Sequence, residues 1–311
     1  MTPSCWCGNH DLLPWNDDYA RCPACETLVE NSASFSSASA SDSASLYDES
    51  YWLGKMAALY KSMGCNSIDD ILLLHYRERA AHWAAHIIRH VEPGARVLEL
   101  GCGLGTLTRW LCDLGYRAAA TELNPAWRAY LRRKLGITTL DPAAVTARAD
   151  DERYDAVIAL DVLEHLADPV GEMERISAAL KPGGTLILQL PEYPAGTSHA
   201  QLAAQEHPFL GMLLPGEHLF LYSRQALAAL LVRFGFTHIL RHPNLFPADT
   251  FLFAARQALP EYSPEQVEQR FMARPQSLTA YAALKNAMEL ASAWQNYGRR
   301  LQELEQLVKR S

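Results

Sequence analysis

Three groups of residues in this 311-residue chain have types and spacings suited to chemistry. The first is Glu99-x-Gly101-x-Gly103-x-Gly105, followed by Glu122. Glycines at every second position let a chain turn through positive φ and bring a ligand close to the main chain. A dinucleotide loop would read Gly-x-Gly-x-x-Gly, with its acid well downstream. Here an acid stands two residues before the first glycine. Glu122 closes the next apolar run, where a carboxylate can accept both ribose hydroxyls of a nucleoside. The second group is two histidines: His165 in Asp161-Val162-Leu163-Glu164-His165, and His218, next to Glu217, in Gly216-Glu217-His218-Leu219. Imidazole titrates near neutrality and can remove a proton from a hydroxyl, and Glu217 beside His218 can raise its basicity. His165 reads more simply as a loop-capping histidine. The third group is Cys5-x-Cys7 and Cys22-x-x-Cys25. Four such thiolates can surround zinc, which lets a segment this short hold a fold. The first pair is one residue short of the usual spacing, His10 is an alternative ligand, and a disulfide pair or free thiols are the other readings.

These groups need elements to hold them. Arg96–Leu100 is a short β-prone run, and Thr106–Leu114 after the glycine loop reads as a helix. Ala118–Glu122 is the next strand, Asn124-Pro125 starts a helix, and Ile137–Leu140 is a weak third strand. Ala156–Leu160 is a buried strand. Val170–Leu180 is a helix stopped by Pro182-Gly183-Gly184, and Thr185–Leu190 is a fifth strand. Gln225–Phe234 is helical, and Phe236–Leu240 with Thr250–Ala254 predicts a closing hairpin. The alternation points to βα units and a parallel sheet. The chain divides into residues 1–30 with the cysteines, a Ser/Ala-rich linker over 31–45, a helical piece over 46–92, an α/β domain over 93–256 and a tail over 257–311. His82, His86 and His90 lie four apart on one helix and read as a helix surface. In the tail, Ala280, Ala283, Ala287, Leu290, Trp294, Tyr297, Leu301, Leu304 and Val308 form a 4-3 repeat, a coiled-coil seam suited to a homodimer or a partner protein.

The segments VLELGCGLGTLTRWL, TELNP, YDAVIALDVLEHLADP and LKPGGTLILQLP, in that order, resemble the class I S-adenosylmethionine-dependent methyltransferases. The resemblance covers roughly residues 93–256. It implies an α/β, Rossmann-like, seven-stranded and mostly parallel sheet, with helices on both faces and a final antiparallel hairpin. It implies S-adenosyl-L-methionine as cofactor, with Gly101, Gly103 and Gly105 lining its methionine part and Glu122 on its ribose. Glu99 would hold the ammonium directly or through water. Asp161 would face cofactor and substrate. Asp141, chosen over Asp150 and Asp151, would read the adenine. No Asn-Pro-Pro-Tyr or Asp-Pro-Pro-Tyr tetrad follows Ala156–Leu160, and the Asp161–His165 segment resembles the small-molecule O- and C-methyltransferases instead. Gly216–Ser223 resembles the Glu-His-x-x-x-(Tyr/Phe)-Ser stretch of small-molecule and deoxysugar methyltransferases, where Glu-His faces the acceptor. The cysteine pairs resemble the zinc-ribbon head of a subset of this class, notably deoxysugar C-methyltransferases. Those enzymes usually carry a further C-terminal α/β domain, for which this chain is too short. Tyr47–Trp52 precedes the helices that usually cover such a site.

Composition narrows the partners. Apolar residues make up 49% and charged residues 20%, with a net charge of −7, which disfavours a large nucleic-acid footprint. No apolar run is long enough to span a bilayer, and no signal peptide is evident, so a cytoplasmic location and reduced cysteines are expected. The expectation is a methyltransferase acting on the oxygen, or less readily the carbon, of a small molecule or saccharide, with structural zinc. Its rivals are an RNA methyltransferase with a zinc-binding head and a non-catalytic scaffold that keeps the fold.

Overall fold

A computed structural model describes residues 4–31, 57–145 and 152–289. The chain opens with a small antiparallel ribbon: β1 (Leu13–Pro14), β2 (Tyr19–Arg21) and β3 (Leu28–Glu30). Helices α1 (Ala57–Ser62), α2 (Ile68–His75) and α3 (Ala81–Ile87) follow, the last two joined by a π-helical turn at Tyr76–Ala80. The βα units then run as β4 (Arg96–Leu100), α4 (Thr106–Asp113), β5 (Arg117–Thr121), α5 (Pro125–Leu135), β6 (Thr138–Leu140), β7 (Tyr154–Leu160), α6 (Pro169–Ala179) and β8 (Leu180–Tyr193). After α7 (His199–Ala204) come β9 (Phe220–Ser223), α8 (Arg224–Arg233), β10 (His238–His242), β11 (Asp249–Ala255) and α9 (Pro264–Met272).

Strands β6, β5, β4, β7 and β8 lie parallel in that order. Strand β11 runs antiparallel beside β8, and β10 beside β11, which completes the expected seven-stranded sheet and its closing hairpin. A parallel sheet covered on both faces needs near-continuous apolar strands. Accordingly Leu98 and Val157 pack into one buried cluster, while Val97, Ala156 and Ile158 pack into another with Leu107 and Trp110 of α4. Successive residues feed opposite faces, so both cores grow from one strand. Helix starts follow the sequence signals. Asn124 accepts bonds from the amides of Ala126 and Trp127, and Asp168 accepts one from Gly171.

The structure refines four expectations. The cysteine-bearing segment, read as a zinc-ribbon head, joins the central sheet. Strand β3 pairs antiparallel with β9, and β9 pairs parallel with the far end of β8, so the ribbon extends the sheet to eleven strands. The helix before β8 ends at Ala179, not Leu180. Leu180 already pairs with Tyr154, and Lys181–Gly184 bulge out before pairing resumes at Thr185. The imidazoles of His82, His86 and His90 do not form an open helix surface. Ring centroids of His86 and His90 each lie 4.8 Å from His242 on β10, beside Phe251 and Phe253. Burial holds His86 down to about 3, so it packs as a neutral ring. In the tail, residues 278–289 are helical, with Leu284 buried and Tyr281 stacked on Phe271 at 4.6 Å. Ala280 and Ala287 of the repeat pack against the domain's own buried cluster, while Ala283 is exposed. The rest of the repeat, the linker and Tyr47–Trp52 lie outside the described residues.

Candidate functional site

A cleft of about 790 Å³ opens beyond the carboxyl ends of β4, β5, β7 and β8. One wall is the glycine loop. Gly101, Gly103 and Gly105 have φ of 59°, 48° and 67°, all left-handed. At Gly105 a Cβ would stand 2.7 Å from Ile137 Cδ1 as well, so both backbone and space call for glycine. The loop is pinned to β5: the Gly101 amide donates to Thr121 Oγ1 at 3.1 Å and the Cys102 amide to the Thr121 carbonyl at 3.0 Å. Glu99 is buried at the cleft, where Oε2 accepts from the amide of Thr108 at 3.0 Å and from its hydroxyl. Burial raises its pKa to about 7 against the lowering effect of those bonds. Glu122 is 5% exposed, with Oε1 held at 2.9 Å by the Asn124 amide, and burial raises its pKa too. The two carboxylates therefore flank the loop as preset acceptors.

The opposite wall carries Asp161, Glu164, His165, Glu217 and His218, all lining the same cleft. Asp161 has a left-handed φ of 54°, unusual without glycine. Its amide donates to the Gln189 carbonyl at 2.9 Å, and Gln189 Nε2 donates back to Oδ1 at 3.2 Å. Trp83 Nε1 in turn donates to Gln189 Oε1 at 2.8 Å, so three elements fix this carboxylate. The imidazoles of His165 and His218 lie edge to face at 4.8 Å. His165 Nδ1 contacts the Glu217 carbonyl at 2.7 Å, and His218 Nδ1 the Met212 carbonyl at 2.7 Å. A carbonyl can only accept, so Nδ1 donates in each ring and Nε2 is the basic nitrogen of the neutral form. Burial lowers His165 to about 3.

Sequence reasoning missed several members of this wall. Glu164 is completely buried, and neither carboxylate oxygen has a hydrogen-bond partner among the described residues. Burial, then the nearby Asp161 charge, pushes its pKa well up. One ligand atom from each of Glu164, His165 and His218 lies within 4.8 Å of the others, a grouping that could hold a metal ion. Asp249 on β11 is raised to about 7 by burial and by Asp161, with Arg79 of the π-helical turn opposing both shifts. The only sequence signal for Arg79 was its place in a helical pattern, and for Asp249 its place at a strand end. Asp141, the expected adenine reader, caps a short turn through the Ala143 amide and pairs with Arg128 at 2.9 Å. Its neighbour Pro142 lines the cleft instead. Asp150 and Asp151 lie outside the described residues.

The four cysteines converge. Cys5 and Cys25 Sγ are 3.4 Å apart and Cys7 and Cys22 Sγ 3.6 Å, with all four sulfurs within 4.8 Å of one another. No disulfide links them. Zinc–thiolate bonds of about 2.3 Å in a tetrahedron require sulfur separations of roughly 3.8 Å, so the donor set fits zinc despite the short first spacing. The hydrogen bond from Cys5 pulls Cys25 down to about 5, while burial pushes Cys7 up to about 11. His10 is exposed and stands outside the group, which removes it as a ligand.

A family model described as a methyltransferase domain matches residues 73–241, more than half of the chain. The chain belongs to the methyltransferase-domain family. Its glycine loop, both flanking acids and the paired histidines all fall inside the matched segment. Among curated relatives, the ubiquinone biosynthesis O-methyltransferase of Xanthomonas campestris pv. campestris (strain B100) is 33% identical over 134 residues, 40% of this chain and 55% of that protein. The protein of the same description from Bradyrhizobium sp. (strain ORS 278) is 30% identical over 148 residues, 45% of this chain and 56% of that protein. The chain thus spans about half the length of the curated relatives it matches. Among solved structures, a glycopeptide N-methyltransferase complexed with S-adenosyl-L-methionine is 22% identical, with 58% of this chain and 94% of that chain covered at a TM-score of 0.43. The 1,6-didemethyltoxoflavin-N1-methyltransferase of Burkholderia thailandensis is 18% identical, with 81% and 99% covered at a TM-score of 0.44. The methyltransferase domain carries an addition in this chain, since the ribbon and its cysteines precede the matched segment. Among the described residues no helix is long and apolar enough to cross a membrane.

Proposed function

We propose that this chain transfers a methyl group from S-adenosyl-L-methionine to a hydroxyl oxygen of a small molecule or saccharide, with carbon the less favoured acceptor. The observation that carries the reading is the pairing of two buried carboxylates, Glu99 and Glu122, across a loop of left-handed glycines in one cleft. In this reading Glu122 accepts the ribose hydroxyls, Glu99 the ammonium, and the amides and bare Cα atoms of Gly101, Gly103 and Gly105 pack against the methionine part. S-adenosyl-L-methionine supplies an electrophilic methyl on a sulfonium. The Asp161 and Glu99 carboxylates would favour binding of the cationic cofactor over its neutral thioether product, which aids cofactor capture and product exchange and leaves the transfer step itself to the residues that position and deprotonate the acceptor. His218 Nε2 takes the acceptor's proton, His165 orients the ring beside it, and Glu217 binds a neighbouring hydroxyl of the acceptor. Oxygen as the acceptor is supported by the curated relatives, which are named O-methyltransferases. The domain is taken as residues 93–256, with 46–92 as its lid, and the four cysteines hold structural zinc.

The test feeds the purified protein and S-adenosyl-L-methionine with a small-metabolite extract. The expected result is release of S-adenosylhomocysteine together with a metabolite heavier by one methyl group, both lost in His218→Ala. No release under any extract, or unchanged release in His218→Ala, overturns the assignment of His218.

A further inference from the structure

The cysteine-bearing ribbon is bonded to the segment that carries His218. Strand β3 pairs with β9 through Leu28 opposite Leu221 and Val29 opposite Phe220. The Glu30 amide then donates to the Leu219 carbonyl at 2.9 Å. Glu30 Oε1 accepts from the Gly216 amide at 3.1 Å, and the buried Tyr19 hydroxyl donates to the His218 carbonyl at 3.0 Å. On its other side, the same segment is tied to the cleft wall by the Leu219 amide, which donates to the Glu164 carbonyl at 2.7 Å. His218 thus sits between the ribbon and Glu164, with three ribbon bonds on residues 216–219. The glycine loop and Glu122 receive none of these bonds.

The ribbon's own rigidity comes from the cysteines. The Cys22 amide donates to the Thr27 carbonyl at 2.8 Å, and Thr27 Oγ1 receives the Trp6 indole at 2.9 Å and contacts Cys25 Sγ at 3.2 Å. Leu28 follows directly, so the strand that grips the His218 segment begins three residues after Cys25. Three residues of so short a strand cannot hold a register by themselves. An ion held by the four thiolates would fix it.

We propose that Tyr19 and Glu30 are positioning residues for His218, and that occupancy of the four-cysteine site sets the acceptor side of the cleft while leaving the cofactor side untouched. The inference goes beyond the methyl-transfer reading and rests on it only for the consequence in turnover. The donor and acceptor sides would then answer to different ions and ligands: the first to the cofactor alone, the second to metal on the ribbon.

The test compares the full-length zinc-loaded protein with Tyr19→Phe, Glu30→Ala, Glu30→Gln and the chelated wild type. Arg21→Ala serves as control, since Arg21 lies on the same hairpin but pairs with Glu26. Amide hydrogen exchange is read at residues 212–221 and at residues 99–106, and S-adenosyl-L-methionine affinity is measured by calorimetry. Tyr19→Phe, Glu30→Ala and metal removal are expected to speed exchange at 216–219 about tenfold or more. Exchange at 99–106 and cofactor affinity should stay within about twofold of wild type. Glu30→Gln, which keeps an oxygen acceptor, should restore most of the protection. Unchanged exchange in Tyr19→Phe and Glu30→Ala overturns the proposal, as does a loss spread equally over both sides of the cleft. Retained protection after chelation overturns the metal link. A wild type that releases no S-adenosylhomocysteine would remove the methyl-transfer reading and leave the exchange arms to decide this one.

Discussion

The two walls of the cleft are built in opposite ways. The cofactor wall is local: Glu99, the three glycines and Glu122 fall within 24 residues, and the bonds that fix them run to Thr108, Thr121 and Asn124 in the same stretch. The acceptor wall is assembled from afar. His165 leans on Glu217, Asp161 on Gln189 and Trp83, and His218 on Tyr19 of the ribbon. A wall made from one strand–loop–helix unit forms when that unit folds. A wall made from remote segments depends on every one of them being docked, so it is the side open to control.

That contrast can be broken by single changes. The largest effect is expected in His218→Ala, with turnover falling about 10²–10⁴-fold, the range of a lost general base, while calorimetry finds cofactor affinity unchanged. Next is Glu122→Ala, where loss of charge-assisted hydrogen bonds of about 1.5–3 kcal/mol should weaken cofactor binding by roughly 10–100-fold. An acceptor-side defect of equal size in that variant would erase the distinction between the walls. A proton effect comes third. Glu99 sits near 7 in the folded protein, above its ordinary 4.5. An acid raised by folding stabilises the chain most below 4.5 and costs stability as pH rises through 7. Without cofactor, the thermal midpoint should therefore fall across that window and fall less in Glu99→Gln. An ammonium beside Glu99 favours the carboxylate, so binding near pH 6 should release a proton, seen as buffer-dependent binding enthalpy that Glu99→Gln removes. The smallest effect is Gly105→Ala, where a left-handed φ and the contact with Ile137 should cost about 1–2 kcal/mol, read as a drop of a few degrees in the thermal midpoint.

Legibility in the sequence followed the same divide. Arg96–Leu100, the glycine loop and the Asn124-Pro125 start were readable because strand, turn and cap each carry their signal in a few adjacent residues. Strand β9 went unread, and with it the docking of the ribbon, because Phe220–Ser223 becomes a strand only through pairing with β3 and β8. Glu164 stood in plain view beside His165, yet its burial without a partner is a property of packing that spacing does not carry. His86 and His90 looked like part of a helix surface because the ring that covers them, His242, is supplied by a strand far along the chain.

The central claim is that one cleft has a cofactor wall which works independently of its acceptor wall. Titrating S-adenosyl-L-methionine into the wild type, Glu122→Ala and His218→Ala by calorimetry tests it most directly. The account predicts a single binding site in the wild type, the same affinity in His218→Ala and a markedly weaker one in Glu122→Ala. Absence of binding in the wild type, or equal binding in Glu122→Ala, would contradict it.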